Sequence, residues 1–270
     1  MVTRIILVAL IFSNSLYCTL IVGVPAATGF VLCSDTRLID SRTRQPVNDR
    51  MNKILVLNKN AVFAEFGNYT MFFNFNSFAA IDGYFKERPF SLRAETIGAL
   101  AESLRSQSQM ALSRSATTLQ TPKNDNLLFS VVMLGIEMGT VTGWIITLRY
   151  IATTSTVTAQ PSRLLPRMFD GTSPMILGET SVAGEVKDGH NKRFDDLRKD
   201  IRVMRFLVGK LSPRFVNETM AVEIAGTLIT ETGRRFRWLS SELSPVNEKY
   251  ICQTLDFAEG VREPKLATKK

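Results

Sequence analysis

Two stretches near the start of the chain leave little freedom in how it folds. "TLIVGVPAATGFVLCSDTR" (Thr19 to Arg37) is an apolar run, a turn through "PAATG" and a second apolar run. "KILVLNKNAVFAEFG" (Lys53 to Gly67) repeats that plan around an Asn-containing turn. Short runs rich in β-branched and aromatic residues, bounded by turn formers, are strands, and two of them across a short turn pair antiparallel. The chain therefore opens with two hairpins, joined by the polar loop "RLIDSRTRQPVNDRMN", and antiparallel sheet is the expected framework.

The hydrophobic period then changes. In "NYTMFFNFNSFAAIDGYFKE", Phe72, Phe75, Phe78 and Ala79 fall on one helical stripe, which reads as core packing. Ser91 is expected to cap a second helix, whose Ile97, Leu100, Ala101 and Leu104 share a face. After the polar linker "TPKND", strands return in "LLFSVVMLGIEMG" and "TGWIITLRYI", and a less regular stretch runs to "SPMILGETSVAGE". A helix-like segment, "RFDDLRKDIRVMRFLVGKL", precedes a late hairpin of "GTLITETG" and "RRFRWLSS". Strands, helices, strands, helix, strands: this order fits antiparallel sheets covered by helices in layers, an α+β chain with one domain and no internal repeat.

Composition narrows the function classes. The chain has 270 residues, 45% of them hydrophobic, enough for one well-buried domain. Its formal charge of +8 is scattered, with no basic block outside the terminal "EPKLATKK", so no nucleic-acid partner is expected; phosphate binding needs basic groups gathered on one face. The three cysteines, Cys18, Cys33 and Cys252, are too few and too far apart in sequence for a disulfide framework or a CxxC metal site. The one histidine, His190, sits in a polar stretch and lacks the partners that a triad or zinc site requires. Neither metal nor organic cofactor is expected. Residues 1–18 carry Arg4, an apolar run from Ile5 to Phe12 and small polar Ser13 and Ser15, the plan of a cleaved leader; a propeptide or an edge strand is the alternative. That run is too short for an ordinary membrane span, and no later segment is expected to cross a bilayer. If the leader is a signal peptide the product is exported, periplasmic or secreted; otherwise it is cytoplasmic.

Amide cleavage without histidine needs another proton acceptor beside the nucleophile. A threonine at the first position of a chain carries one in its own α-amine, whose ordinary pKa of about 7.7–8.0 leaves a neutral fraction near pH 7. A nearby lysine would lower that pKa further, and a carboxylate would hold the lysine in place. The parts occur in order: Thr19 heads the first strand, Asp35 follows 16 positions later, Lys53 begins the next hairpin, and Gly67 ends it, where a backbone N–H can approach an oxyanion.

On these residues the chain resembles the proteasome-type N-terminal-nucleophile hydrolases, including the 20S β-subunits and their bacterial relatives. In that family the mature chain opens with a threonine and a strand like "TLIVG", returns through a segment like "GFVLCSDTR", and sets a lysine before a strand like "KILVL". The "SDTR" form is similar to the bacterial branch. The resemblance covers Thr19 to Gly67 by motif and the remainder by element order. It implies a four-layer αββα sandwich of two antiparallel sheets flanked by helices, spanning residues 19–262 between the leader and a basic tail, 263–270. It also implies a threonine peptidase or amidase acting on a peptide or amide substrate, and a homo-oligomer, as a ring. Carried over singly, Thr19 is nucleophile and base, Lys53 tunes it, Asp35 and Arg37 support the site, and Gly67 donates to the oxyanion.

Beyond Gly67 the pattern departs from the family. "ILGETS" is similar to the family's glycine-and-serine turn, with Glu179 at the serine position and Thr180 and Ser181 as substitutes. "NETMAVEIAGTLITETG" reads as the strand after the family's distal Asp and Ser pair, placing Asn217 and Met220 where that acid and hydroxyl are expected. Those departures motivate a second reading, a non-catalytic scaffold or ring-forming subunit. A third, motivated by the leader and the positive charge, is an envelope or anion-binding protein. Cys18 is a rival first residue and nucleophile, but its offset to Asp35 is longer by one.

Overall fold

A computed structural model of the chain describes residues 19–36, 38–39, 46–48, 51–67, 75–115, 126–169, 174–178, 216–235 and 250–265. Both early hairpins form as expected. β1 (Leu20–Ala26) and β2 (Gly29–Asp35) pair antiparallel across the turn at Ala27 and Thr28. β5 (Ile54–Asn58) and β6 (Ala61–Gly67) pair across Lys59 and Asn60. The polar loop between them contains two short strands, β3 (Leu38–Ile39) and β4 (Pro46–Asn48), which pair only with each other.

The two hairpins belong to different sheets. β1 and β2 join β10 (Met175–Gly178), β11 (Tyr250–Asp256) and β12 (Gly260–Arg262) in the order β10-β1-β2-β11-β12. β5 and β6 continue into β7 (Asn126–Glu137), β8 (Thr140–Ile151) and β9 (Thr156–Arg163), in sequence order. β9 was not evident in the sequence. It is an edge strand with exposed Gln160, Pro161 and Ser162, and Val157 is the one buried residue along it, so no apolar alternation marks it in the sequence.

The period-two alternation of the strands divides the interior into three cores. Ile21, Phe30 and Leu32 of the first sheet meet Val62, Ala64, Val132 and Leu134 of the second, filling the space between the sheets. The outer face of the second sheet, through Phe63, Phe129, Val131 and Ile146, packs on Ile97, Leu100 and Leu104. Those three belong to α2 (Ala94–Ser115), which follows α1 (Ser77–Lys86). The outer face of the first sheet, through Leu20, Val22, Val31 and Cys33, packs on Ala221, Val222, Ala225, Leu228 and Ile229 of α3 (Glu218–Arg235). Helix, sheet, sheet, helix is the αββα layering expected. β1 and β2 are buried along their whole length because both faces are covered.

Several local expectations are corrected. The segment "GTLITETG" is not half of a hairpin: it lies in α3, and so does "NETMAVEIA" apart from its first residue. Ala221, Val222, Ala225, Leu228 and Ile229 recur at helical spacing, and that stripe outweighs the β-propensity of "TLIT". Gly226 looks like a helix breaker, yet a Cβ there would collide with the Tyr250 ring, so the glycine makes room for β11 to pack. Asn217 is the N-cap of α3, accepting from the Met220 N–H at 2.9 Å. Neither Asn217 nor Met220 precedes a strand; the late strand is β11, and residues 236–249 before it lie outside the described residues. The stripe assigned to α1 shifts as well. Asn76 caps the helix, Ser77, Ile81 and Tyr84 are buried, and Ala79 is exposed. Phe75 precedes the helix, stacked on Phe129, and Phe72 lies outside the described residues. Ser91 accepts from the Arg93 N–H ahead of α2. The helix-like segment 193–211 and "RFRWLSS" after Arg235 also lie outside the described residues.

The chain is closed by its far end. Cys33 and Cys252, register partners on β2 and β11, form a disulfide across 219 residues of sequence. Sequence spacing argued against a disulfide framework, but one bond needs only that the fold bring two residues together. Near it, Arg262 bonds Glu218 and Asp256, and the Lys265 N–H donates to Glu218 at 2.8 Å, pinning the C-terminal hairpin on the start of α3.

Because Asn217 acts as a cap, Asn217→Ala should lower unfolding stability by about 1 kcal/mol, read by chemical denaturation, without altering any activity of the folded chain.

Candidate functional site

The predicted residues stand at strand ends, and the hairpins dictate which ends meet. Thr19 lies at the head of β1 and Asp35 at the tail of β2, so one hairpin sets them side by side. Lys53, just ahead of β5, and Gly67, closing β6, are placed likewise by the other. What remained was to bring the two pairs together across the sandwich.

A single carboxylate makes that join. Asp35 Oδ1 accepts from the Leu20 N–H, the amide that follows Thr19, at 2.6 Å. Asp35 Oδ2 accepts from Lys53 Nζ at 2.8 Å. Asp35 and Lys53 are buried, with side chains 5% and 3% exposed. A buried ion pair is expensive to break, since removing one partner strands the other charge away from water. The pair also spans the sheets, because Asp35 ends a strand of the first and Lys53 leads into a strand of the second.

Gly178 belongs to the site as well, although the sequence did not single it out. It ends β10, opposite Leu20, with φ of +90°. A Cβ there would collide with the Thr19 carbonyl oxygen and lie 3.6 Å from Cβ of Phe66, the residue before Gly67. Gly178 therefore packs between the head of β1 and the tail of β6, where only glycine fits both the backbone angle and the space. Its sequence signal was the "ILGETS" turn. Gly67 has φ of +131°, and a Cβ there would collide with the Phe129 backbone, so it too is required by the chain path. Arg37, Glu179, Thr180 and Ser181 lie outside the described residues, as do Cys18 and His190.

Thr19 itself is 5% exposed in a chain that still carries residues 1–18. Its nitrogen is then an amide of the Cys18–Thr19 bond and has no basic lone pair. Cleavage of that bond would supply the amine.

Below Gly67, on the face toward the helices, Glu65 is buried and bonds Ser77 Oγ at the start of α1. Its second oxygen has no hydrogen-bond partner among the described residues. Burial pushes the Glu65 carboxyl well above the usual carboxylate range, and the Ser77 bond offsets part of that rise. No sequence rule singled out this residue, because it occupies an inward position of an otherwise apolar strand. Among the described residues no three His, Cys, Asp or Glu side chains converge as a metal site, and no described helix is long and apolar enough to cross a membrane.

Comparison with known proteins gives only distant likenesses. No protein-family model matches the chain, and none of the curated proteins matches it. Among solved structures, the Gly-1 mutant of Anbu from Hyphomicrobium sp. strain MC1 has a TM-score of 0.45 and 12% identity, covering 93% of this chain and 88% of that one. Eukaryotic HslV from Trypanosoma brucei has a TM-score of 0.45 and 15% identity, covering 88% and 99% respectively. Identities this low transfer no residue role.

Two outcomes follow from this geometry. Lys53→Ala should destabilise the fold by about 3–5 kcal/mol, because it leaves the buried Asp35 carboxylate without its Lys53 counter-charge; the drop is measurable by denaturant titration. Glu65 should make the fold less stable as pH rises. Its folded pKa lies above the unfolded value, so the folded state holds more protons, and stability falls from the unfolded pKa of about 4.3 upward until the folded pKa is passed. Glu65→Gln, neutral at every pH, should flatten that decline in thermal melts recorded across the range.

Proposed function

We propose that the chain is a proteasome-type N-terminal-nucleophile hydrolase: a threonine peptidase or amidase whose nucleophile, Thr19, is exposed by removal of residues 1–18. The observation that carries this reading is the Asp35 carboxylate bonded at once to the Leu20 N–H and the Lys53 ammonium. In the proposed reaction the freed α-amine of Thr19 takes the proton from its own hydroxyl, directly or through water. The Thr19 oxygen attacks the substrate carbonyl, the amine leaving group departs with a proton, and water releases the acyl group. Lys53 supplies positive charge that favours the neutral amine, and Asp35 fixes both the lysine and the first peptide unit of β1. The Gly67 N–H is assigned to the developing oxyanion, on a backbone path held by Phe129 and by Gly178 behind Phe66. Arg37, Thr180 and Ser181 complete the supporting set by resemblance. As in the family, the chain is proposed to assemble with copies of itself, in a ring.

One observation favours the scaffold reading: the burial of Thr19. In that reading the leader stays attached and no acyl transfer occurs.

Intact mass and N-terminal sequencing of protein expressed with its leader separate the two. A chain beginning at Thr19 that hydrolyses peptide or ester substrates, and loses about three orders of magnitude or more of turnover as Thr19→Ala, supports the hydrolase. An active chain that still begins upstream of Thr19 overturns the mechanism. An uncut, inert chain forming a stable ring by light scattering selects the scaffold.

A further inference from the structure

The disulfide stands in a telling place. Cys33 is two residues before Asp35 on β2; its side chain packs on the α3 side of the sheet, while the Asp35 carboxylate reaches across to Lys53. Their cross-strand partners on β11 are Cys252 and Tyr250. The Tyr250 ring in turn fills the gap left by Gly226 of α3. The end of β2 that carries Asp35 is thus held from the side opposite β1 by one covalent bond and one packed ring, while Asp35 itself reaches Leu20 and Lys53. Cys33 is fully buried and Cys252 is 7% exposed.

We propose that the Cys33–Cys252 bond is a latch, set once during oxidative folding, that holds the Asp35 end of β2 in place for Leu20 and Lys53. Thiol–disulfide exchange needs a thiolate to reach a sulfur along an open path, and the burial of both cysteines restricts that approach in the folded chain. The bond therefore forms while β11 is still arriving from the far end of the sequence, and the folded protein retains it. In forming it, two thiols transfer two electrons and two protons to a disulfide oxidant: with oxidised glutathione, the protein gains one S–S bond and two glutathione thiols are released. Folding accordingly takes place in an oxidising compartment, in keeping with the leader pattern of residues 1–18. Cleavage ahead of Thr19 would also discard Cys18, leaving a mature chain whose only two cysteines are the bonded pair. The catalytic consequence of the latch rests on the function proposed above, but its grip on Asp35 does not.

The test uses the full chain produced with its leader in an oxidising compartment. Peptide mapping after alkylation without reductant should find residues 33 and 252 linked. Reduced glutathione should leave the link intact in the native protein and break it once denaturant is added. In Cys33→Ala/Cys252→Ala, residue-resolved hydrogen exchange should show the Leu20 amide, the one bonded to Asp35, exchanging at least about tenfold faster. Free thiols at both positions in native protein, ready reduction without denaturant, or unchanged Leu20 exchange in a folded double variant would each overturn the latch. If the double variant does not fold, mapping and reductant resistance of the wild-type chain decide the question. Slow Leu20 exchange in a linked protein that hydrolyses nothing supports the latch and sinks the hydrolase instead.

Discussion

The arrangement of the site depends on one buried carboxylate. Asp35 lies almost out of contact with water, and an ionised group there is tolerable only when its oxygens are paired. Two of its partners come from different sheets: the Leu20 amide at the head of β1 and the Lys53 ammonium ahead of β5. Satisfying Asp35 therefore does more than neutralise it. The bond to Lys53 sets where the second sheet's hairpin begins relative to the first, and the bond to Leu20 fixes the peptide unit that carries Thr19. Core packing between the sheets is apolar and non-directional, so it brings the layers together without choosing their offset. The ion pair and the close approach of Gly178 to Thr19 add direction at one end of the sandwich.

That division explains what could be read from the sequence. The hairpins were legible because their turns are local and their apolar runs short, and the α2 stripe was legible because Ile97, Leu100, Ala101 and Leu104 repeat at helical spacing. Once the hairpins are fixed, the proximity of Thr19 to Asp35 follows from hairpin geometry alone, and Lys53 and Gly67 come to the same end of the second hairpin, with Lys53 opposite Glu65 in the continued register. The meeting of the two pairs does not: it depends on how one sheet lies on the other, a non-local result that was expected only through a family resemblance.

The failures have equally particular causes. α3 was mistaken for strand because "GTLIT" combines a glycine with β-branched residues. Gly226 carries meaning only when Tyr250, 24 residues later, is seen packed against it. The disulfide was missed because Cys33 and Cys252 are neighbours only in the closed sheet. Glu65 was missed because a carboxylate within an apolar run gives no sign of which face it occupies; the inward face, with Ser77 beneath it, is a property of β6 lying on α1.

The two ends of the sandwich do different work. At one end, the turns at Ala27–Thr28 and Lys59–Asn60 close their hairpins tightly, and the β11–β12 turn joins them through the Phe257 N–H to Thr28 and the Val261 N–H to Lys59. At the other, Thr19 leads into β1, while β2, β6 and β10 end on Asp35, Gly67 and Gly178, and backbone crowding demands glycine at two of those four places. A chain ending its strands there presents polar groups that the sheets no longer pair, and it needs specific partners for each of them. Asp35 meets that need for the Leu20 N–H with its side chain, where β2 comes to its end. The bond that satisfies the Leu20 N–H and the bond that anchors Lys53 are thus made by the same group, so a change that loosens β2 near Asp35 must disturb fold and site together.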